Sequence, residues 1–161
     1  MKKNKLSAIY TEYTSADELS AADRELLTAA QQAAKDAYAP YSNFKVGAVA
    51  LLENGEIITG TNQENASFPA GICAERVLLS SIASRFPGMP VKTIAISYKS
   101  RKGKSDHPIS PCGICRQSIL EYELRTHKKI RLLLGGKEGP VIEIPDATIL
   151  LPLAFTGKEL D

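Results

Sequence analysis

All three cysteines of this 161-residue chain fall in two short segments, and that placement constrains the fold more than any other feature. Cys73 stands in Ala70-Gly71-Ile72-Cys73-Ala74-Glu75-Arg76. Cys112 and Cys115 stand in Pro111-Cys112-Gly113-Ile114-Cys115-Arg116-Gln117. An odd number of thiols, two of them at C-x-x-C spacing, does not suit a disulfide framework, whereas thiolates three apart at the start of a helix project from one side of its first turn and suit a metal. Glu75 follows Cys73 by two residues. Three thiols and a carboxylate make a metal with one open position, and an acid–base group beside it, the simplest chemistry that needs such a set. The fold must bring the two segments together.

The rest of the chain is an ordinary globular composition, 43% apolar and 24% charged, of a length that suits one domain. The 20 basic and 18 acidic residues leave a net charge of only +2. A nucleic-acid platform shows a basic stripe, so no nucleic-acid partner is expected; the runs Lys2-Lys3-Asn4-Lys5 and Lys99-Ser100-Arg101-Lys102-Gly103-Lys104 read as a solvated terminus and a loop. The N-terminal charges have no apolar stretch behind them, and no apolar run is long enough to span a bilayer, so a soluble protein without a membrane partner is expected. Reduced thiols place it in the cytoplasm.

Residues 1–16 are polar and without periodicity and read as a flexible extension, leaving 17–161 as a single catalytic domain. From Ser20 to Tyr38 alanines and leucines recur at helical spacing, with Ser20 and Asp23 as a weak capping box. Lys45–Leu52 and Glu56–Thr61 flank Glu53-Asn54-Gly55, a hairpin signal. Cys73–Phe86 is apolar on nearly all sides, as befits a helix packed on a sheet, and Pro87-Gly88 ends it. Thr93–Tyr98 predicts a buried strand, Arg101–His107 a polar loop, Gly113–Arg125 a helix, and Ile130–Leu134 and Val141–Ile144 two further strands, with a short helix or turn over Ala147–Leu151. This pattern implies an α/β layered domain with a mixed five-stranded sheet and helices on its faces.

Zinc is the default metal for three thiolates. A structural zinc site usually closes with a fourth protein ligand, and there is no fourth cysteine; His107 and His127 stand at no recognisable ligand spacing and read as loop and helix-end residues. If water fills the open position, the metal lowers its pKa toward ~7. Glu75 is then the acid–base partner, provided the helix begins abruptly at Cys73. Arg76 is expected to donate hydrogen bonds to the thiolates and offset their charge.

Cys73-Ala74-Glu75-Arg76 with Pro111-Cys112-Gly113-Ile114-Cys115-Arg116-Gln117 resembles the signature of zinc-dependent cytidine deaminases, in the homotetrameric three-cysteine subfamily. The likeness continues through Ala37-Tyr38-Ala39-Pro40-Tyr41-Ser42-Asn43-Phe44-Lys45-Val46-Gly47-Ala48 and Asn62-Gln63-Glu64-Asn65-Ala66-Ser67. The resemblance implies a three-layer cytidine-deaminase-like domain with helices on both faces of the five-stranded sheet. It implies Zn2+ on Cys73, Cys112 and Cys115, with Glu75 as the proton shuttle of hydrolytic deamination. Phe44 matches the aromatic that packs on the pyrimidine, Asn62 and Glu64 the pair that holds the ribose hydroxyls, and Phe155 an aromatic that reaches a neighbouring subunit's site in the homotetramer. The implied partner is a small pyrimidine nucleoside, cytidine or 2'-deoxycytidine, in pyrimidine salvage. Phe68 stands where the family often has tyrosine, and the loop Arg101–His107 is additional. Two other readings fit the residues: a deaminase of a related cytosine-bearing substrate, and a non-catalytic zinc-stabilised binding module.

Overall fold

The computed structural model describes residues 1–100 and 103–160, so Arg101 and Lys102 of the expected loop, and Asp161, lie outside the described residues. The elements are β1 (Thr11–Tyr13), α1 (Ala21–Ala33), β2 (Lys45–Leu52), β3 (Ile57–Thr61), α2 (Ala74–Arg85), β4 (Val91–Lys99), α3 (Gly113–Thr126), β5 (Arg131–Gly135) and β6 (Val141–Ile144). One mixed sheet runs in the order β1-β6-β5-β4-β2-β3. Its parallel pair is β4 with β5, joined by the crossover through α3 that a parallel pair requires.

Alternation along β4 sorts the core into two layers. Ala95 faces α1 in a cluster with Leu26, Leu27, Ala30, Val49 and Leu133. Ile94 and Ile96 face α2 and α3, packing with Leu78, Ile82, Ile119 and Leu134. Helices therefore cover both faces. Ser20 caps α1 as its spacing predicts, its side chain accepting from the Asp23 N–H at 3.2 Å.

The sheet has six strands where five were expected. The sixth, β1, falls in the segment read as an extension and pairs antiparallel with β6, Thr11 opposite Glu143 and Tyr13 opposite Val141. Three residues are too few to show alternation, and what secures them is tertiary: the Tyr13 hydroxyl donates to Glu143 at 2.8 Å. Glu143 in turn lies 3.5 Å from Arg131, which forms a two-point ion pair with Asp23 at the start of α1.

The packing of α2 on the sheet positions the site. A Cβ at Gly60 in β3 would stand 2.5 Å from the Ala74 carbonyl and 2.5 Å from the Leu78 nitrogen. Only glycine lets the first turn of α2 lie directly on β3.

Candidate active site

Cys73 and Cys112 occupy equivalent places. Each is the N-cap of its helix with extended backbone, Cys73 at φ −73°, ψ 153° before α2 and Cys112 at φ −68°, ψ 168° before α3. The helices start side by side, and Cys115 sits one turn into α3, fully buried. The Cys73 and Cys112 sulfurs are 3.8 Å apart, those of Cys112 and Cys115 3.5 Å, and all three lie within 4.8 Å of one another. Tetrahedral zinc with Zn–S of about 2.3 Å sets its sulfurs about 3.8 Å apart, so the donor set fits this metal in both chemistry and spacing. Neither histidine joins the cluster among the described residues. His107 bonds Tyr98 and Asp106, and His127 is the left-handed cap that ends α3.

The thiols shift one another's ionisation. Cys73 is lowered to about 6, chiefly because the Cys115 thiol hydrogen-bonds to its sulfur, against an opposing contribution from burial. The same contact, with burial and the nearby Glu75, pushes Cys115 up. The two shifts are opposite sides of one interaction between the Cys73 and Cys115 sulfurs. Both helix N-termini favour the anion.

Glu75 lies in the first turn of α2 and is 5% exposed. Burial pushes its carboxyl above the usual carboxylate range, more than its backbone bond and its contact with the Cys115 thiol pull it down. The abrupt start of α2 at Cys73 meets the geometric condition the sequence had set.

Beside Cys73 opens a cavity of about 510 Å³ whose wall includes Tyr41, Ser42, Asn62, Glu64 and Phe68. Asn62 and Glu64, spaced two apart after β3, organise this wall through the backbone. The Asn62 side chain accepts from the Val46 N–H at 2.7 Å and donates to the Phe44 carbonyl at 3.0 Å. Glu64 accepts from the Tyr41 N–H at 2.8 Å, the Ser42 N–H at 3.3 Å and the Ser42 hydroxyl, and that hydroxyl holds its carboxyl below the usual range.

A family model described as the cytidine and deoxycytidylate deaminase zinc-binding region matches residues 20–129. The chain belongs to this deaminase family. It is 37% identical over 140 residues to a cytidine deaminase of Halalkalibacterium halodurans, covering 86% of this chain and 98% of that one. It is 39% identical over 102 residues to a cytidine deaminase of Mycoplasma genitalium, covering 63% of this chain and 72% of the other. The crystal structure of cytidine deaminase from Burkholderia pseudomallei superposes with a TM-score of 0.70 at 38% identity, covering 81% of this chain and 97% of that chain.

Three residues singled out in the deaminase signature stand away from the cavity. Phe44 lies just outside its wall, 37% exposed, with its ring stacked on Tyr98. Phe155 is 59% exposed, and its carbonyl accepts from Gln117 at 3.0 Å. Arg76 does not bond the sulfurs as expected: its side chain lines a groove between α2 and α3 with Leu79, Ser118 and Arg125, and it reaches Cys73 only through its charge.

Arg116 does more than its place in the motif announced. Its Nε donates to the Pro111 carbonyl at 2.8 Å and its Nη1 to the Leu150 carbonyl at 3.2 Å, tying the Pro111–Cys115 turn to the C-terminal segment. Arginine directly after a C-x-x-C pair was the available signal, because its fork can reach back over the turn.

Proposed function

We propose that the protein is a zinc-dependent cytidine deaminase that converts cytidine and 2'-deoxycytidine to uridine and 2'-deoxyuridine with release of ammonia, in pyrimidine salvage. One observation carries the reading: three sulfurs at zinc spacing with the buried carboxyl of Glu75 in contact with the Cys115 thiol, and Cys73 of that cluster bordering a cavity whose wall bears Asn62 and Glu64. A non-catalytic zinc module has no use for a buried carboxyl raised by desolvation next to its ligands.

Cys73, Cys112 and Cys115 would hold the metal, which when bound acidifies a water and so supplies the nucleophile. Glu75, in contact with the Cys115 thiol, would stand close to this water and is not needed as a ligand. Its raised pKa lets it carry a proton to N3 of cytosine, which draws electron density from C4 and opens that carbon to attack. The carboxylate then accepts a proton from the attacking water and passes it to the amino group, which leaves as ammonia, and it finally takes up the proton of the new C4 hydroxyl as the carbonyl of uridine forms. Cytidine and water become uridine and ammonia, with Glu75 returned to its starting state.

The substrate end follows from the same wall. Glu64 exchanges its bond from the Ser42 hydroxyl for a ribose hydroxyl, a donor of the same kind, while Asn62 holds the strand end in register. A carboxylate in this position repels a phosphate, which favours free nucleosides over nucleotides and polynucleotides. Phe44 offers the face of its ring that Tyr98 leaves free to the pyrimidine. Phe155, exposed at the C-terminal side, suits contact with a second subunit's site in a homotetramer. No helix of the described residues is long and apolar enough to cross a membrane, in keeping with a cytoplasmic enzyme.

The test is the loss of cytosine absorbance when zinc-loaded protein is added in parallel to cytidine, deoxycytidine, cytosine and CMP. Turnover of the two nucleosides but not of CMP is expected; no turnover of any of them would defeat the reading.

A further inference from the structure

The polar loop expected over Arg101–His107 ends at His107, and this residue reaches back to the end of the sheet that carries Phe44. Tyr98 stands opposite Val46 in the β2–β4 register, and Phe44 lies two residues before Val46. The Phe44 and Tyr98 rings are 5.2 Å apart and 22° from parallel. Tyr98 is 3% exposed, and its hydroxyl meets the imidazole of His107, 3.2 Å from Nδ1 and 3.4 Å from Nε2. Asp106 Oδ1 in turn lies 3.0 Å from His107 Nδ1.

The foot of this chain is fixed. The Ser105 carbonyl accepts from the Lys137 N–H at 2.6 Å and the Glu138 N–H at 3.2 Å. A Cβ at Gly136 would stand 2.1 Å from the Ser105 oxygen, and one at Gly139 2.2 Å from the Asp106 oxygen, so Ser105 and Asp106 lie flat on the turn after β5. The backbone of Phe44 is held separately, its N–H donating to Ser42 Oγ at 2.9 Å and its carbonyl accepting from Asn62. What Ser42 and Asn62 leave unset is the plane of the ring.

We propose that Tyr98 and His107 act as positioning residues that fix the plane of the Phe44 ring and thereby set affinity for the base. The proposal rests on the reading of Phe44 as the platform for the pyrimidine. The His107 side chain is 64% exposed, so its bond to a buried tyrosine adds little to the core. Its consequence falls on Tyr98 and, through the stacked pair, on Phe44.

The experiment measures KM and kcat for cytidine, with Tm, in zinc-loaded wild type, His107→Ala, Tyr98→Phe, the double variant, His107→Gln and Phe44→Ala. Loss of one hydrogen bond predicts about a fivefold rise in KM for each single variant, with kcat within twofold. The double variant should match the singles, because both remove the same bond. His107→Ala should keep the wild-type Tm, and His107→Gln, which still offers a donor and an acceptor, should recover most of the affinity. A wild-type KM in His107→Ala, or effects that multiply in the double variant, would overturn the brace while leaving the deaminase reading intact. A wild-type KM in Phe44→Ala would remove the platform and the brace with it. Absence of cytidine turnover in the wild type would defeat the functional reading and this proposal together.

Discussion

The metal end and the substrate end of the site are built by different forces. Cys73, Glu75, Cys112 and Cys115 ride on the first turns of α2 and α3, whose Ala74, Leu78 and Ile119 are fully buried against the sheet. Close packing holds the buried Cys115 and Glu75, because moving them opens voids, and it fixes the helix starts that carry the half-buried Cys73 and the exposed Cys112. Tyr41–Phe44 and Asn62–Phe68 are instead held by side-chain hydrogen bonds to backbone, with Tyr41, Phe44 and Phe68 all exposed. On the proposed function, the chemistry would sit on a preorganised base and recognition on a polar wall whose bonds can be exchanged for those of a ligand.

That contrast is most strongly tested by the sulfurs. Cys115→Ser should abolish both zinc content by metal analysis and cytidine turnover, since two thiolates and a hydroxyl make a poor zinc site. Retained stoichiometric zinc would break the assignment of the ligand set. Gly60→Val probes the packing beneath it. A side chain there collides with Ala74 and Leu78 backbone, so a loss of about 1–3 kcal/mol of stability and reduced zinc occupancy are expected, read by thermal unfolding and metal analysis. Unchanged occupancy at lowered Tm would mean the helix start tolerates displacement.

On the polar side, Glu64→Gln should raise KM for cytidine about tenfold while leaving zinc content intact, as befits loss of one charged hydrogen bond to ligand. A fall in zinc content would show that the two ends are one mechanical unit. The smallest effect belongs to the ion pair between the start of α1 and β5. The Arg131 guanidinium holds the Asp23 carboxyl below its usual range. Its stabilising contribution is therefore present above the unfolded-state value of about 3.9 and is lost as pH falls through the lower folded value. Because Arg131 is 31% exposed and Asp23 17%, the pair is worth about 1 kcal/mol, or about 2–4 °C in Tm at neutral pH. Asp23→Asn should show that loss at pH 7 and a flatter decline in Tm below pH 4, with cytidine KM unchanged.

Much of both ends was legible in the sequence, for physical reasons that differ. Ser20 before a periodic alanine run, Asn54-Gly55 between two apolar stretches and Pro87-Gly88 after a third each act locally, so the elements they bound could be read directly. The cysteine cluster was legible because few chemistries need three thiols in two short segments. β1 was not, since its three residues are secured by Glu143, 130 positions from Tyr13. Nor does any local pattern announce that Glu123, within α3, is buried and accepts from the Ile130 and Ala147 N–H groups at 2.9 and 3.0 Å. The expected bond from Arg76 to the sulfurs failed for a related reason: spacing places a Cα, while the direction of a long side chain depends on the neighbouring helix. His107, read as a loop histidine, gained its partner only when the fold brought Tyr98 beside it.

The most direct test of the account pairs two measurements on Glu75→Gln and wild type: zinc per chain and the rate of cytidine deamination. The account predicts one zinc in both proteins and turnover that falls by about 10²–10⁴-fold in Glu75→Gln, the range for a lost acid–base group. A zinc-loaded Glu75→Gln that turns over cytidine within a few-fold of wild type would contradict it.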